Sequence, residues 1–191
     1  MPHVQGNIAF LRRRPEYKTE QPYIIALPPD SEIDPESSKL TNLEYERHLV
    51  EVRDIRNNIN DFKLEVCGFE VFPYSTSKPL VTTVDDIHLY QRETESALKE
   101  KFSAERVISF EFKHRKNAEY NTPVINLEDP LQFLKPAKDA HCDYTFTSGP
   151  ITAKRVLEEH GEQKYLKPGY RFRIHLEERL AKDHRYAFGS L

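Results

Sequence analysis

Cysteine is nearly missing from this chain: Cys67 and Cys142 are the two in 191 residues, and no Cys-x-x-Cys pair occurs. Nothing here points to a disulfide framework or a zinc knuckle, and reduced thiols are expected. Long apolar runs are missing as well. None approaches the roughly 18 residues that a membrane span needs. The opening Met1-Pro2-His3-Val4-Gln5-Gly6 has no charged segment leading into an apolar one, so a cytoplasmic protein with no membrane partner is expected. Cationic excess is absent too. Lys+Arg 28 against Asp+Glu 31 leaves a net charge of −3, which offers no electrostatic footprint for a nucleic acid. Glycine is scarce, six residues against thirteen prolines, and no Gly-rich phosphate loop, Gly-x-Ser-x-Gly elbow or kinase signature is present.

What is there suffices for a core. Hydrophobic residues make up 38% and charged residues 31%, and the length suits one domain. The prolines between Pro15 and Pro79 predict an extended, proline-rich N-terminal arm over residues 1–60, with a short strand at Pro22–Leu27 and a charged stretch from Leu43 to Asn60. A mixed core over 61–176 and a divergent, charged tail over 177–191 complete the expected organisation. In the core, Leu64–Phe72 reads as a strand with Cys67, Phe69 and Val71 on one face, ended by Pro73. Asp85–Lys101 reads as a helix, since Ile87, Tyr90, Thr94, Ala97 and Leu98 share one side, and Thr83 and Asp86 have capping-box spacing. Val107–Lys113 alternates like a half-buried strand. A second helix begins after Ser148-Gly149-Pro150 and is stopped by Gly161, and Tyr170–Leu176 alternates again. No further pair of long strands is expected in the tail.

Ala140-His141-Cys142-Asp143-Tyr144-Thr145 holds a His-x-Asp pair. On a strand, side chains two apart project from one face, so His141 and Asp143 could grip one ion. An imidazole and a carboxylate are two of the three groups in the 2-His-1-carboxylate triad of non-haem Fe(II) oxygenases. The spacing also suits a surface pair, and His160-Gly161-Glu162 and His175-Leu176-Glu177 repeat it. Cys142 would face the other way and pack, with Tyr144 and Thr145 extending the strand. Lys113-His114-Arg115-Lys116 and Arg12-Arg13-Arg14 are basic clusters suited to a solvated face or to steering an anion.

From about residue 8 to 175 the order of segments resembles the fungal asaB-type hydroxylase/desaturase family, which includes gibberellin desaturases and relatives of the bacterial cephem methoxylase. The resemblance rests on Pro22-Tyr23, Val52-Arg53-Asp54-Ile55-Arg56, Phe62-Lys63-Leu64, Gly68-Phe69-Glu70-Val71, Ala104-Glu105-Arg106-Val107, Phe112-Lys113-His114-Arg115, Ala140–Thr145 and Tyr170-Arg171-Phe172. It implies an α+β chain with a partial double-stranded β-helix, jelly-roll-like, with flanking helices. It implies Fe(II) and 2-oxoglutarate as cofactors, His141 and Asp143 as the first two iron ligands, and hydroxylation or desaturation of a small-molecule substrate in secondary-metabolite biosynthesis.

Relatives continue into an Asn-x-Trp-Arg-Pro-like strand, a distal His and an Arg that pairs with 2-oxoglutarate; here no such motif follows Tyr170–Ile174, so a chain shortened at its C-terminus is expected. The histidines after Asp143 are His160, His175 and His184. His160 sits at a helix end and reads as packed or capping, His175 lies on the polar side of the last alternating stretch, and Asp183-His184-Arg185-Tyr186 faintly resembles a later stretch of the relatives. The alternative reading is a catalytically incomplete fragment or non-catalytic binding module of the same family. Metal-independent isomerase or cyclase chemistry is a third.

Overall fold

The structure, a computed structural model, describes residues 3–25, 27, 32–34, 38–78, 80–115, 129–179 and 185–190. The chain divides into two compact units, the first comprising residues 1–54 and 113–142, the second 55–112 and 143–191. Each unit draws on two separate stretches of chain.

In the first unit, β1 (Val4–Leu11) and β2 (Tyr45–Val52) pair antiparallel from Val4 opposite Val52 to Leu11 opposite Tyr45. The proline-rich stretch between them is pinned at intervals. The Asn42 side chain, buried at 6% exposure, accepts from the Tyr23 backbone N–H at 2.8 Å and donates to the Gln21 carbonyl at 3.2 Å. Of the strand expected at 22–27, one bridge forms, Ile24 opposite Thr41. On the other edge of β1, Asp139 bridges Ala9 in parallel, and the Ala140 N–H donates to the Ala9 carbonyl at 2.8 Å. Two short strands, β4 (His114–Arg115) and β5 (Phe133–Leu134), pair in parallel, with the His114 ring stacked on Phe133 at 4.7 Å.

The second unit begins with a single helical turn, α1 (Leu64–Cys67), then Gly68 at φ 74°, then β3 (Phe69–Pro73). The strand expected from Leu64 is thus broken, because Gly68 adopts the left-handed conformation that caps a helix. The helix expected at 85–101 is α2 (Val84–Phe102). Its capping box is present: Thr83 Oγ1 accepts from the Asp86 N–H at 3.2 Å, and Asp86 Oδ2 accepts from the Thr83 N–H at 2.9 Å. Asp86, 4% exposed, also accepts from the Thr82 N–H and hydroxyl, each at 2.9 Å, and is paired with Lys78. That lysine, followed by the Thr82 N–H, holds the carboxyl far below its ordinary value of 3.8. Leu98 of α2 is 7% exposed and packs among Phe72, Tyr74, Tyr90, Phe102 and Val107.

Residues 107–113, expected as a strand, form no ladder. They run along α2 instead: the Ser109 N–H donates to the Glu95 carboxylate at 2.7 Å, and Phe112 meets Tyr90 edge-on at 5.7 Å. α3 (Ser148–Glu159) follows, with Val156 and Leu157 buried, and His160 caps its end with Nδ1 2.8 Å from the Val156 carbonyl oxygen. Gly161 stops it at φ +69°, in a place where an added Cβ would meet nothing within 4 Å. Gly161→Ala should therefore cost backbone strain alone, about 1 kcal/mol, read as a lower urea midpoint with unchanged slope. The closing sheet has the order β3, β7 (Arg185–Ser190), β6 (His175–Arg179), antiparallel throughout. The last alternating stretch is strand only from His175 and runs on to Arg179 as β6, and the tail contributes β7, which its sequence did not announce. Among the described residues the sheets have two, three and two strands.

Candidate functional site

The chain around the His-x-Asp pair is not a strand. After the bridge at Asp139 it runs without a ladder through His141 and Cys142, bends at Asp143, and turns into α3. Thr145, expected to extend a strand, starts the helix: its Oγ1 accepts from the Ser148 N–H at 3.0 Å, and Ser148 Oγ accepts from the Thr145 N–H at 2.8 Å. Side chains two apart therefore do not share a face here through strand geometry, and the boundary between the two units falls between Cys142 and Asp143. Cys142, expected to pack, is exposed, since no second face exists for it to turn towards. The Tyr144 phenol is pushed up by burial, with Glu111 and Asp143 adding to the effect.

His141 is oriented by its neighbour. Its Nδ1 lies 2.9 Å from the Asp139 carbonyl oxygen and 3.8 Å from Asp139 Oδ2, with the side chain 42% exposed. A proton on Nδ1 satisfies the carbonyl and leaves the Nε2 lone pair directed away, the tautomer in which histidines commonly ligate metals. The remaining histidines have other surroundings. His160 caps α3, and His175 lies flat on Phe102 at 4.8 Å. Burial lowers His114, which favours its neutral form. His184 is outside the described residues, as is Lys116 of the basic cluster. In Arg12-Arg13-Arg14, Arg12 and Arg14 both pair with Glu44.

Beside His141, the first unit has an open cleft of about 220 Å³ lined by Ala9, Tyr45, Arg47, Lys138 and Asp139. Its construction follows from register. Ala9 stands opposite Arg47 on one side and Asp139 on the other, and Tyr45 is two residues from Arg47, so strand alternation brings them to one face. The Tyr45 phenol is pushed up by burial and then by the Asp139 charge and hydrogen bond, which keeps its hydroxyl protonated at neutral pH. None of Tyr45, Arg47, Lys138 or Asp139 was singled out from sequence. The available local signal was the Asp139-x-His141 spacing, which mirrors His141-x-Asp143.

Among the described residues, no group of three or more His, Cys, Asp or Glu side chains is placed to hold a metal ion. No helix among them is long and apolar enough to cross a membrane.

Compared with known proteins, residues 9–175 match the family described as the oxidoreductase/YMDC permease-like domain. That span is well over half of the chain, and the protein belongs to this oxidoreductase-related family. No curated protein and no solved structure matches it.

Proposed function

We propose that this member of an oxidoreductase-related family is a hydroxylase or desaturase of a small molecule, on the non-haem iron plan, with His141 and Asp143 as two ligands of Fe(II). The observation that carries the reading is the Nδ1 contact of His141 to the Asp139 carbonyl, which fixes the ring as a ligating histidine requires. The donor chemistry fits two of the three positions of the facial triad, an imidazole and a carboxylate. Among the described residues no third donor completes a cluster. Fe(II) with 2-oxoglutarate would supply the oxidising chemistry that side chains lack. The chain's own part is placement: Asp139 orients His141, and the neighbouring cleft offers two cations to a bound molecule. A jelly-roll-like core belongs to the same proposal.

The second reading, a catalytically incomplete binding module of the family, is favoured by the lack of a third donor among the described residues. Anaerobic Fe(II) titration separates the two. The oxygenase reading expects saturable binding by the whole chain, weakened more than about 10–100-fold by His141→Ala and comparably by Asp143→Asn, since ligands matter at least as much as their supporting neighbours. Failure of the unmodified protein to bind Fe(II), or binding indifferent to both substitutions, leaves only the binding module.

A further inference from the structure

We propose that the cleft on the β1–β2 face binds a small carboxylate-bearing molecule, with the Arg47 guanidinium and Lys138 ammonium as its charged partners. The inference rests on the small-molecule reading above but not on iron. It starts from the lining of the cleft. Elsewhere basic side chains are paired, among them Arg12 and Arg14 with Glu44, Lys101 with Glu70, Arg106 with Glu162 and Arg155 with Glu159. Arg47 and Lys138 have no ion-pair partner among the described residues, yet both line one cavity. The carboxylate already there, Asp139, takes the Tyr45 hydroxyl hydrogen bond.

The shape agrees with that charge. Ala9, 8% exposed, is the smallest residue of the lining and sits between Arg47 and Asp139 across two bridges, so the floor is backbone and a methyl group. A volume of about 220 Å³ is smaller than a drug-sized pocket, and it suits a molecule of a few heavy atoms better than a peptide segment. Arg supplies a planar fork that matches a carboxylate in a bidentate pair, and Lys a second point charge. Two separated cations on one face favour a carboxylate over a compact phosphate, for which backbone N–H groups at a loop or helix start are the usual cradle.

Calorimetric titration of the full chain with succinate tests this, with succinamide as the uncharged counterpart and inorganic phosphate as the competing anion. Saturable succinate binding is expected, with none for succinamide and weaker binding for phosphate. Arg47→Gln and Lys138→Gln should each weaken succinate about tenfold or more, as loss of a charge-assisted hydrogen bond does. Both residues are exposed, so circular dichroism should confirm an unchanged fold. Succinate binding should be unchanged by a chelator that strips Fe(II), which separates failure of the iron reading from failure of this one. Equal binding of succinate and succinamide, tighter phosphate, a wild-type response from Arg47→Gln, or loss of succinate binding on chelation would each overturn the assignment.

Discussion

Leu98→Ala should lower the stability of the second unit by about 2–5 kcal/mol, the range seen when a buried leucine is cut back and its surroundings relax only in part. Leu98 is 7% exposed and ringed by Phe72, Tyr74, Tyr90, Phe102 and Val107. Four of those five are aromatic, and rings held by other contacts collapse poorly into a void. Tyr90 meets Phe112, Phe102 stacks on His175, and the Tyr74 hydroxyl donates to the Glu93 carbonyl at 2.9 Å. The upper half of the range is therefore expected. Against a total of about 5–15 kcal/mol for a typical domain, that is a large share. Urea unfolding followed by circular dichroism checks it, and Leu98→Met, which keeps the volume, should cost under about 1.5 kcal/mol. Equal losses from the two variants would show that the cavity is not the cause.

Asp86→Asn should make the protein much less stable at neutral pH and should flatten its response to acid. In the folded chain Lys78, the Thr82 N–H and hydroxyl and the Thr83 N–H all favour the ionised carboxyl, so its pKa lies below the ordinary 3.8. A group depressed on folding contributes stability that is complete above its unfolded value and disappears as pH falls towards the folded one. The difference in melting temperature between wild type and Asp86→Asn should accordingly be constant from neutrality to about pH 5 and shrink below it. A difference that widened in acid would overturn this account. The substituted amide keeps an oxygen for the Thr83 N–H, so α2 itself should survive, as measured by ellipticity at neutral pH.

α2 and its cap were legible in the sequence because every signal for them is local. Thr83, Asp86 and the stripe from Ile87 to Leu98 all lie within the length of one helix and its cap. α3 was legible for the same reason, with its start near Ser148-Gly149-Pro150 and its stop at Gly161. Strands were less so. The alternation at 107–113 marks a half-buried chain, but whether a strand forms depends on a neighbour that alternation cannot name. Here Glu95 takes the Ser109 N–H in the neighbour's place. β7 pairs with β3 across a long stretch of sequence, Gly189 opposite Phe69, and β6 joins the sheet through β7. Nothing within the tail encodes the partner it finds in β3. The candidate site shows the same division. His141 was visible through its spacing to Asp143, and Asp139, which orients it, lies two residues away, whereas Tyr45 and Arg47, which flank the cleft, are joined to them only by strand register.

The first unit is stitched from two stretches, residues 1–54 and 113–142. An expression product ending anywhere from residue 55 to 112 would hold β1 and β2 but lose Asp139 and Ala140, baring one edge of β1 with the Ala9 carbonyl unsatisfied. Anyone wishing to study the cleft in isolation must splice residue 54 to residue 113 by a designed linker rather than trim the gene from one end.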